Sequence, residues 1–128
     1  MAIEIPGLKA GAWVANATLA ANQFYAVKMG SNGKWAVASA GQRTIGVAQN
    51  TPAADEPVDV MMSGFTKAYA GGTITCGDAI AVNSSGQFVS AGDNDYQVGV
   101  AFESAVSGEY FTLYLSGGQG LTESTSPA

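Results

Sequence analysis

Apolar and polar residues alternate with a period of two along much of the chain. In Pro57-Val58-Asp59-Val60-Met61-Met62 the residues Val58, Val60 and Met62 fall on one face; in Tyr110-Phe111-Thr112-Leu113-Tyr114-Leu115 the matching face is Phe111, Leu113 and Leu115. A one-residue slip would turn three large apolar side chains into water, so the shared parity of the two stretches supports reading both as strands. Helical periodicity is missing almost everywhere, and glycine is too frequent for long helices. Further strands are predicted over 24–29, 34–38, 43–49, 66–69, 79–82, 87–90 and 96–102, separated by Ser31-Asn32-Gly33, Ala40-Gly41-Gln42, Gly71-Gly72, Ser84-Ser85-Gly86 and Gly92-Asp93-Asn94. Asn32-Gly33 is a hairpin signal, because both residues tolerate positive φ. A helical turn is expected only at Thr51 to Glu56. Many short strands with frequent turns predict an all-β fold, a small antiparallel β-sandwich or barrel.

The pattern occurs twice. Thr18-Leu19, Ala26-Val27, Gly33-Lys34-Trp35, Ile45-Gly46-Val47-Ala48, Glu56, Val58, Val60 and Ser63-Gly64 reappear in order as Thr73-Ile74, Ala81-Val82, Gly86-Gln87-Phe88, Val98-Gly99-Val100-Ala101, Glu109, Phe111, Leu113 and Ser116-Gly117. From Gly33 onward the spacing is constant at 53, as between Gly46 and Gly99; before it, Ala26 and Ala81 are 55 apart. The first copy therefore carries two extra residues, and the expected place for them is the loop Lys28 to Asn32, since loops absorb insertions that strands do not. Two stacked copies of one β-motif are expected, each too small to bury its own apolar face. The organisation read from this is an N-terminal arm and first strand over 1–17, a β-domain over 18–117 with copies at about 18–64 and 73–117, and a C-terminal tail over 118–128.

The arm, Met1 to Leu8, is short and apolar and is broken by Pro6-Gly7, with Ile3, Ile5 and Leu8 as candidate anchors. Gly117 to Ala128 is rich in Gly, Ser and Thr and has no core-forming pattern, a composition that normally goes with disorder. At 128 residues the chain is one domain with room for a real core.

Charge changes the picture. Only 12% of residues are charged, against roughly 25% in ordinary soluble proteins. Much of the surface is therefore Ala, Gly, Ser, Thr and Asn, or is covered by a partner. All five cations (Lys9, Lys28, Lys34, Arg43, Lys67) lie in the first half beside four carboxylates, whereas the stretch from Ala68 onward has six carboxylates and no cation. Two readings of this asymmetry stand, drift on a solvated surface or head-to-tail association in a ring, basic copy against acidic copy. Binding to a nucleic-acid backbone needs clustered Lys and Arg, which are missing. No stretch has the length and hydropathy of a membrane span. Lys9 and the run Ala10 to Ala21 imitate a secretory signal only faintly, since Asn16 and Thr18 interrupt it; production in a cytoplasm is expected.

Candidate chemistry is sparse. There is no histidine and one cysteine, Cys76, so neither a disulfide within the chain nor a Cys/His metal site can form, and Cys76 is expected to be a small buried hydrophobe. A serine or cysteine nucleophile has no imidazole to activate it. Asp93-Asn94-Asp95 and Asp55-Glu56 offer oxygen ligands but lack the glycine and distal glutamate of a calcium loop. Gly30-Ser31-Asn32-Gly33-Lys34 is two residues short of a phosphate loop, and Trp35 replaces the hydroxyl such a loop needs. No catalytic residue, metal or cofactor is assigned. Trp35 and its counterpart Phe88 are expected in the core. Gly46, Ala48, Gly99 and Ala101 form small-residue faces, for close packing within the domain or close approach of another subunit. Trp13, with no apparent counterpart and close to the arm, is a candidate contact for a protein partner.

Thr44-Ile45-Gly46-Val47-Ala48-Gln49, followed by Glu56-Pro57-Val58-Asp59-Val60 and by Gly77-Asp78-Ala79-Ile80, resembles the small capsid decoration, or cement, proteins of tailed bacteriophages. The resemblance covers roughly Leu8 to Gly117 and brings no catalytic residue. It implies an all-β protein, commonly a homotrimer, that binds the major capsid protein on the outside of an expanded shell, often through a terminal arm such as Met1 to Leu8. Ile3, Ile5, Leu8 and Trp13 are then the expected capsid or intersubunit contacts. Two other readings remain: a carbohydrate- or host-binding β-module of a phage fibre or tail, and a tail-tube-type structural protein.

Overall fold

The computed structural model describes residues 9–10, 13–92 and 96–121. Among them are ten strands, β1 (Lys9–Ala10), β2 (Ala26–Met29), β3 (Trp35–Val37), β4 (Gly46–Ala48), β5 (Val60–Met61), β6 (Gly64–Tyr69), β7 (Ala79–Val82), β8 (Phe88–Ser90), β9 (Tyr96–Ala101) and β10 (Tyr110–Leu121), and no helix. They form two antiparallel five-stranded sheets in the orders β1-β5-β4-β2-β3 and β6-β10-β9-β7-β8. The second order is the first with every strand moved on by five, so the chain lays down the same arrangement twice. In each sheet a parallel bridge, Ala15 to Trp35 or Ala70 to Phe88, draws the two edges together. The architecture is an all-β, sandwich-like fold.

Registers correspond residue by residue. Val27 faces Val37 as Ile80 faces Ser90, Met29 faces Trp35 as Val82 faces Phe88, and Ala48 faces Val60 as Ala101 faces Leu113. Turns correspond as well. Glu56 Oε1 accepts the Ala53 N–H at 2.8 Å, and Glu109 Oε1 accepts the Val106 N–H at 3.0 Å. The hairpin expected at Asn32-Gly33 joins β2 to β3, with Gly33 at φ 77° and its counterpart Gly86 at φ 81°.

These registers correct the placement of the two extra residues. Ala26-Val27 corresponds to Ala79-Ile80, not to the similar-looking Ala81-Val82, so the loop Lys28 to Asn32 is no longer than its counterpart. The Leu19 N–H bonds the Pro52 carbonyl as the Ile74 N–H bonds that of Ala105, and the Tyr25 N–H bonds Asn22 as the Asp78 N–H bonds Thr75. The additional residues are therefore Ala20 and Ala21. The helical turn expected at Thr51 to Glu56 is a tight turn in which Asp55 takes φ 65°. The last strand continues through Gly117 to Leu121, its pairing with β9 shifting register between Leu115 and Gly120.

The expectation that neither copy could bury its own apolar face is also corrected. Ala15, Leu19, Val27, Trp35, Ala48, Val58 and Val60 form a buried cluster within the first unit. Their counterparts Ala70, Ile74, Ile80, Phe88, Ala101, Phe111 and Leu113 all lie in the second cluster, which additionally takes in Ala26, Ala38, Val47 and Met61 from the first unit. The first sheet is thus buried on both faces. That is why Met61 is buried beside Val60, while Met62 is only half-buried. Cys76, expected inside, is exposed in the turn before β7. Inside the first cluster the Trp35 Nε1 hydrogen has no partner among the described residues, an arrangement that costs about 1 to 3 kcal/mol for a buried polar group.

Glycine sets how closely backbones approach. A Cβ at Gly46 would strike the Met61 carbonyl, and one at Gly99 the Tyr114 carbonyl. Gly86 is pressed between the units. Its carbonyl accepts the Ala26 N–H at 2.9 Å, and a Cβ there would collide with Val37 Cγ1 and lie 3.1 Å from the Ala38 carbonyl.

Leu113→Ala is expected to lower the unfolding free energy by about 2 to 5 kcal/mol in chemical denaturation, since the side chain is wholly buried. Gly86→Ala combines strained φ with a steric clash and should lower the midpoint clearly; an unchanged midpoint would contradict the close contact between units.

Candidate functional site

The arm residues Ile3, Ile5 and Leu8 lie outside the described residues. The backbone enters the described structure at β1, whose Lys9 and Ala10 pair with Met61 and Val60 at the end of the first sheet. Trp13 follows. Its carbonyl accepts the Val58 N–H at 3.0 Å, which fixes its backbone, while the residue is 50% exposed. Trp13 has a counterpart after all: Ala68, which stands opposite Phe111 as Trp13 stands opposite Val58. Next to it the Asn32 amide donates to Asn16 Oδ1 at 2.9 Å, tying the β2–β3 turn to the segment after Trp13.

A second apolar surface was not anticipated. Phe65, Phe102 and Tyr114 form a cluster on the outer face of the second sheet, with ring centroids 4.9 Å (Phe65 to Phe102) and 5.2 Å (Phe65 to Tyr114) apart. Phe102 is 54% and Tyr114 39% exposed. The signal was present in β10, where Tyr110 and Tyr114 stand on the face opposite Phe111 and Leu113. An aromatic outer face has no reason to exist for the core's sake.

One concave feature of the described surface is a groove lined by Ala20, Ala21, Gln23, Tyr25, Thr51, Tyr69 and Tyr110. Tyr25 stacks on Tyr69 at 5.1 Å, and Tyr110 meets Tyr69 edge-on at 5.5 Å. No charged side chain lines it, so it can offer stacking and neutral hydrogen bonds.

Two lysines have partners within the chain. Lys34 Nζ pairs with Asp55 Oδ1 at 2.8 Å on the surface, a contact worth little by itself. Lys67 lies over the Phe24 ring at 5.8 Å. Among the described residues no group of three or more Cys, Asp or Glu converges as a metal site; Asp93 and Asp95 lie outside them. No helix among the described residues is long and apolar enough to cross a membrane.

Asp78 opens the second hairpin. Its Oδ2 accepts the Ser90 hydroxyl at 2.7 Å and the Thr75 N–H at 3.0 Å, and these bonds, the hydroxyl first, hold the carboxyl below its ordinary pKa. Because the folded value is the lower one, these bonds stabilise the fold above the unfolded carboxyl's pKa, and the benefit fades as pH falls through the folded value. Ser90→Ala is expected to raise the Asp78 pKa toward its ordinary value in an NMR titration; an unmoved pKa would contradict this assignment.

Comparison with known proteins completes the picture. No curated protein matches the chain. Its fold is similar to the crystal structure of the head fiber gp8.5 N base in bacteriophage phi29, with a TM-score of 0.66 over 85% of this chain and 93% of that chain. At 22% identity the likeness is one of fold. A family model described as phage cement protein matches residues 8–116, nearly all of the β-domain. The chain belongs to the phage cement protein family.

Proposed function

We propose that this chain is a virion structural protein, produced in the cytoplasm of the bacterial host, that binds the outer surface of a phage capsid as a trimer and stabilises the shell without catalysing a reaction. The observation that carries the reading, beyond family membership, is the placement of the arm's root. The apolar segment with Ile3, Ile5 and Leu8 leads directly into β1 at the end of the first sheet, beside the half-exposed ring of Trp13.

The physics of such a role is bridging. Packed DNA pushes a shell outward, and a protein that spans neighbouring capsid subunits resists their separation. Arms and broad uncharged faces suit this task better than a pocket does. Docked in a groove of the major capsid protein, Ile3, Ile5 and Leu8 would be taken out of water at roughly 25 cal/mol per Å², and their backbone could pair with a sheet edge. Pro6-Gly7 keeps the segment from continuing as one regular strand. Several arms engaged at once multiply a modest affinity per site.

A second reading, a host-polysaccharide-binding module, is favoured by the Tyr25, Tyr69 and Tyr110 groove, since sugars stack on aromatic faces. Saturable binding of host polysaccharide that is lost in Tyr110→Ala would establish it.

Deleting residues 2–8 is expected to leave the melting temperature nearly unchanged and to abolish most binding to expanded capsids in a co-sedimentation assay. Truncated protein that decorates shells as well as the intact chain, or that unfolds, would show that the arm is not the capsid-binding element. Trp13→Ala should weaken binding by on the order of 2 kcal/mol if the ring is a central anchor.

A further inference from the structure

The contact between the two units is made by unlike surfaces. The first unit contributes Ala26, Ala38, Val47 and Met61, each no more than 1% exposed. The second contributes the β7–β8 turn. Besides the Gly86 contact, the Ser39 hydroxyl donates to the Ser84 carbonyl at 3.2 Å, the Gln87 amide donates to the Tyr25 hydroxyl at 3.2 Å, and the Gln49 amide donates to Thr66 Oγ1 at 2.9 Å. A contact of this kind is heterologous, and it leaves its two complementary surfaces unused at the far ends of the pair.

Moving 53 residues along the chain identifies both. The surface that receives the turn in the first unit corresponds in the second to Ala79, Ala91, Val100 and Tyr114, with Phe102 in the place of Gln49. There the buried positions of the first unit become half-buried or exposed ones. This is the face that carries the Phe65, Phe102 and Tyr114 cluster. The turn that docks, Gly86, corresponds to Gly33, which has the same positive φ and nothing within 4 Å of its would-be Cβ. One end of the molecule thus has an uncovered receiving face and the other an uncovered inserting turn.

We propose that the outer face of the second sheet is an interface for another copy of this chain, which inserts its Gly33 turn there as Gly86 inserts between the units within one chain. Charge supports this occupant. Lys34 stands where Gln87 stands, and Asp78 stands where Tyr25 stands, so the neutral Gln87 to Tyr25 bond becomes a Lys34 to Asp78 ion pair between chains. Asp78 accepts two hydrogen bonds and retains lone pairs for a third partner. Lys34 would exchange or share its exposed partner Asp55. The apolar component is Phe102, Tyr114 and Val100 closing against the inserting end, where the exposed Trp13 also lies. The basic first half and acidic second half then meet at every junction. The proposal goes beyond capsid binding and does not depend on it, since the contact forms without a shell.

Glycine supplies the test. Asn tolerates positive φ, and Gly33 and Gly41 both have open space at φ near 78°. Gly33→Asn and Gly41→Asn should therefore both fold, but only the first would place a side chain against the backbone of the neighbouring copy at Ala91. Sedimentation velocity of the full chain is expected to show an oligomer for wild type and Gly41→Asn, and a monomer for Gly33→Asn and Phe102→Arg, with the circular dichroism spectrum unchanged in all four and a lower melting temperature only in the two monomeric variants. Lys34→Asp and Asp78→Lys should each weaken the oligomer, and the double exchange should restore it. The proposal is overturned by a wild-type chain that stays monomeric, by Gly33→Asn assembling as fully as wild type, or by Phe102→Arg assembling normally while losing capsid binding, which would give the face to the shell protein.

Discussion

How closely the β7–β8 turn can approach the β2–β3 edge decides the shape of this protein. With Gly86 at the tip, the Ala26 N–H reaches its carbonyl at 2.9 Å and the two units share one apolar layer. Any side chain there would strike Val37 and hold the units apart. Once the approach is made, Ala26, Ala38, Val47 and Met61 are sealed and the first sheet becomes an interior layer. The second sheet, at the end of the stack, keeps an aromatic outer face that nothing in the described chain covers. The unlike surroundings of two like motifs follow from that one contact.

The same contact explains which features were legible in the sequence. Strand β7 falls on the expected residues, and in β10 Phe111, Leu113 and Leu115 are buried while Tyr110 and Tyr114 are exposed, because that strand has an inside and an outside and alternation reports it. Alternation fails in the first sheet, where both faces are buried and Met61 is as enclosed as Val60. The misplaced insertion has a different origin. Ala81-Val82 looks like Ala26-Val27, but side-chain likeness is weaker evidence than backbone pairing, and pairing assigns the match to Ala79-Ile80. Cys76 is exposed because the stretch Thr73 to Gly77, which reads as a strand, ends in a turn.

The candidate site was legible only at one end. Trp13 was singled out, and the structure leaves its ring half-exposed over a fixed backbone. Phe65, Phe102 and Tyr114 were missed because Phe65 and Phe102 are far apart in sequence and meet only through the pairing of β6 with β10 and of β10 with β9. A chain with few charges, no imidazole and backbone contacts set by glycine is built to present surfaces. That fits membership of a family of phage cement proteins, in which holding on is the function.

The proposed function places this chain outside a shell, gripping it by the segment that precedes β1. The decisive measurement is a cryo-electron microscopy reconstruction of purified virions. Density is expected for the two-sheet domain on the outer capsid surface, in fixed proportion to the shell subunit, with residues 1–8 traced into a groove of the major capsid protein. Density for the chain in the tail tube or fibre alone, or on the shell but held by another face with the arm turned away from it, would overturn the proposal.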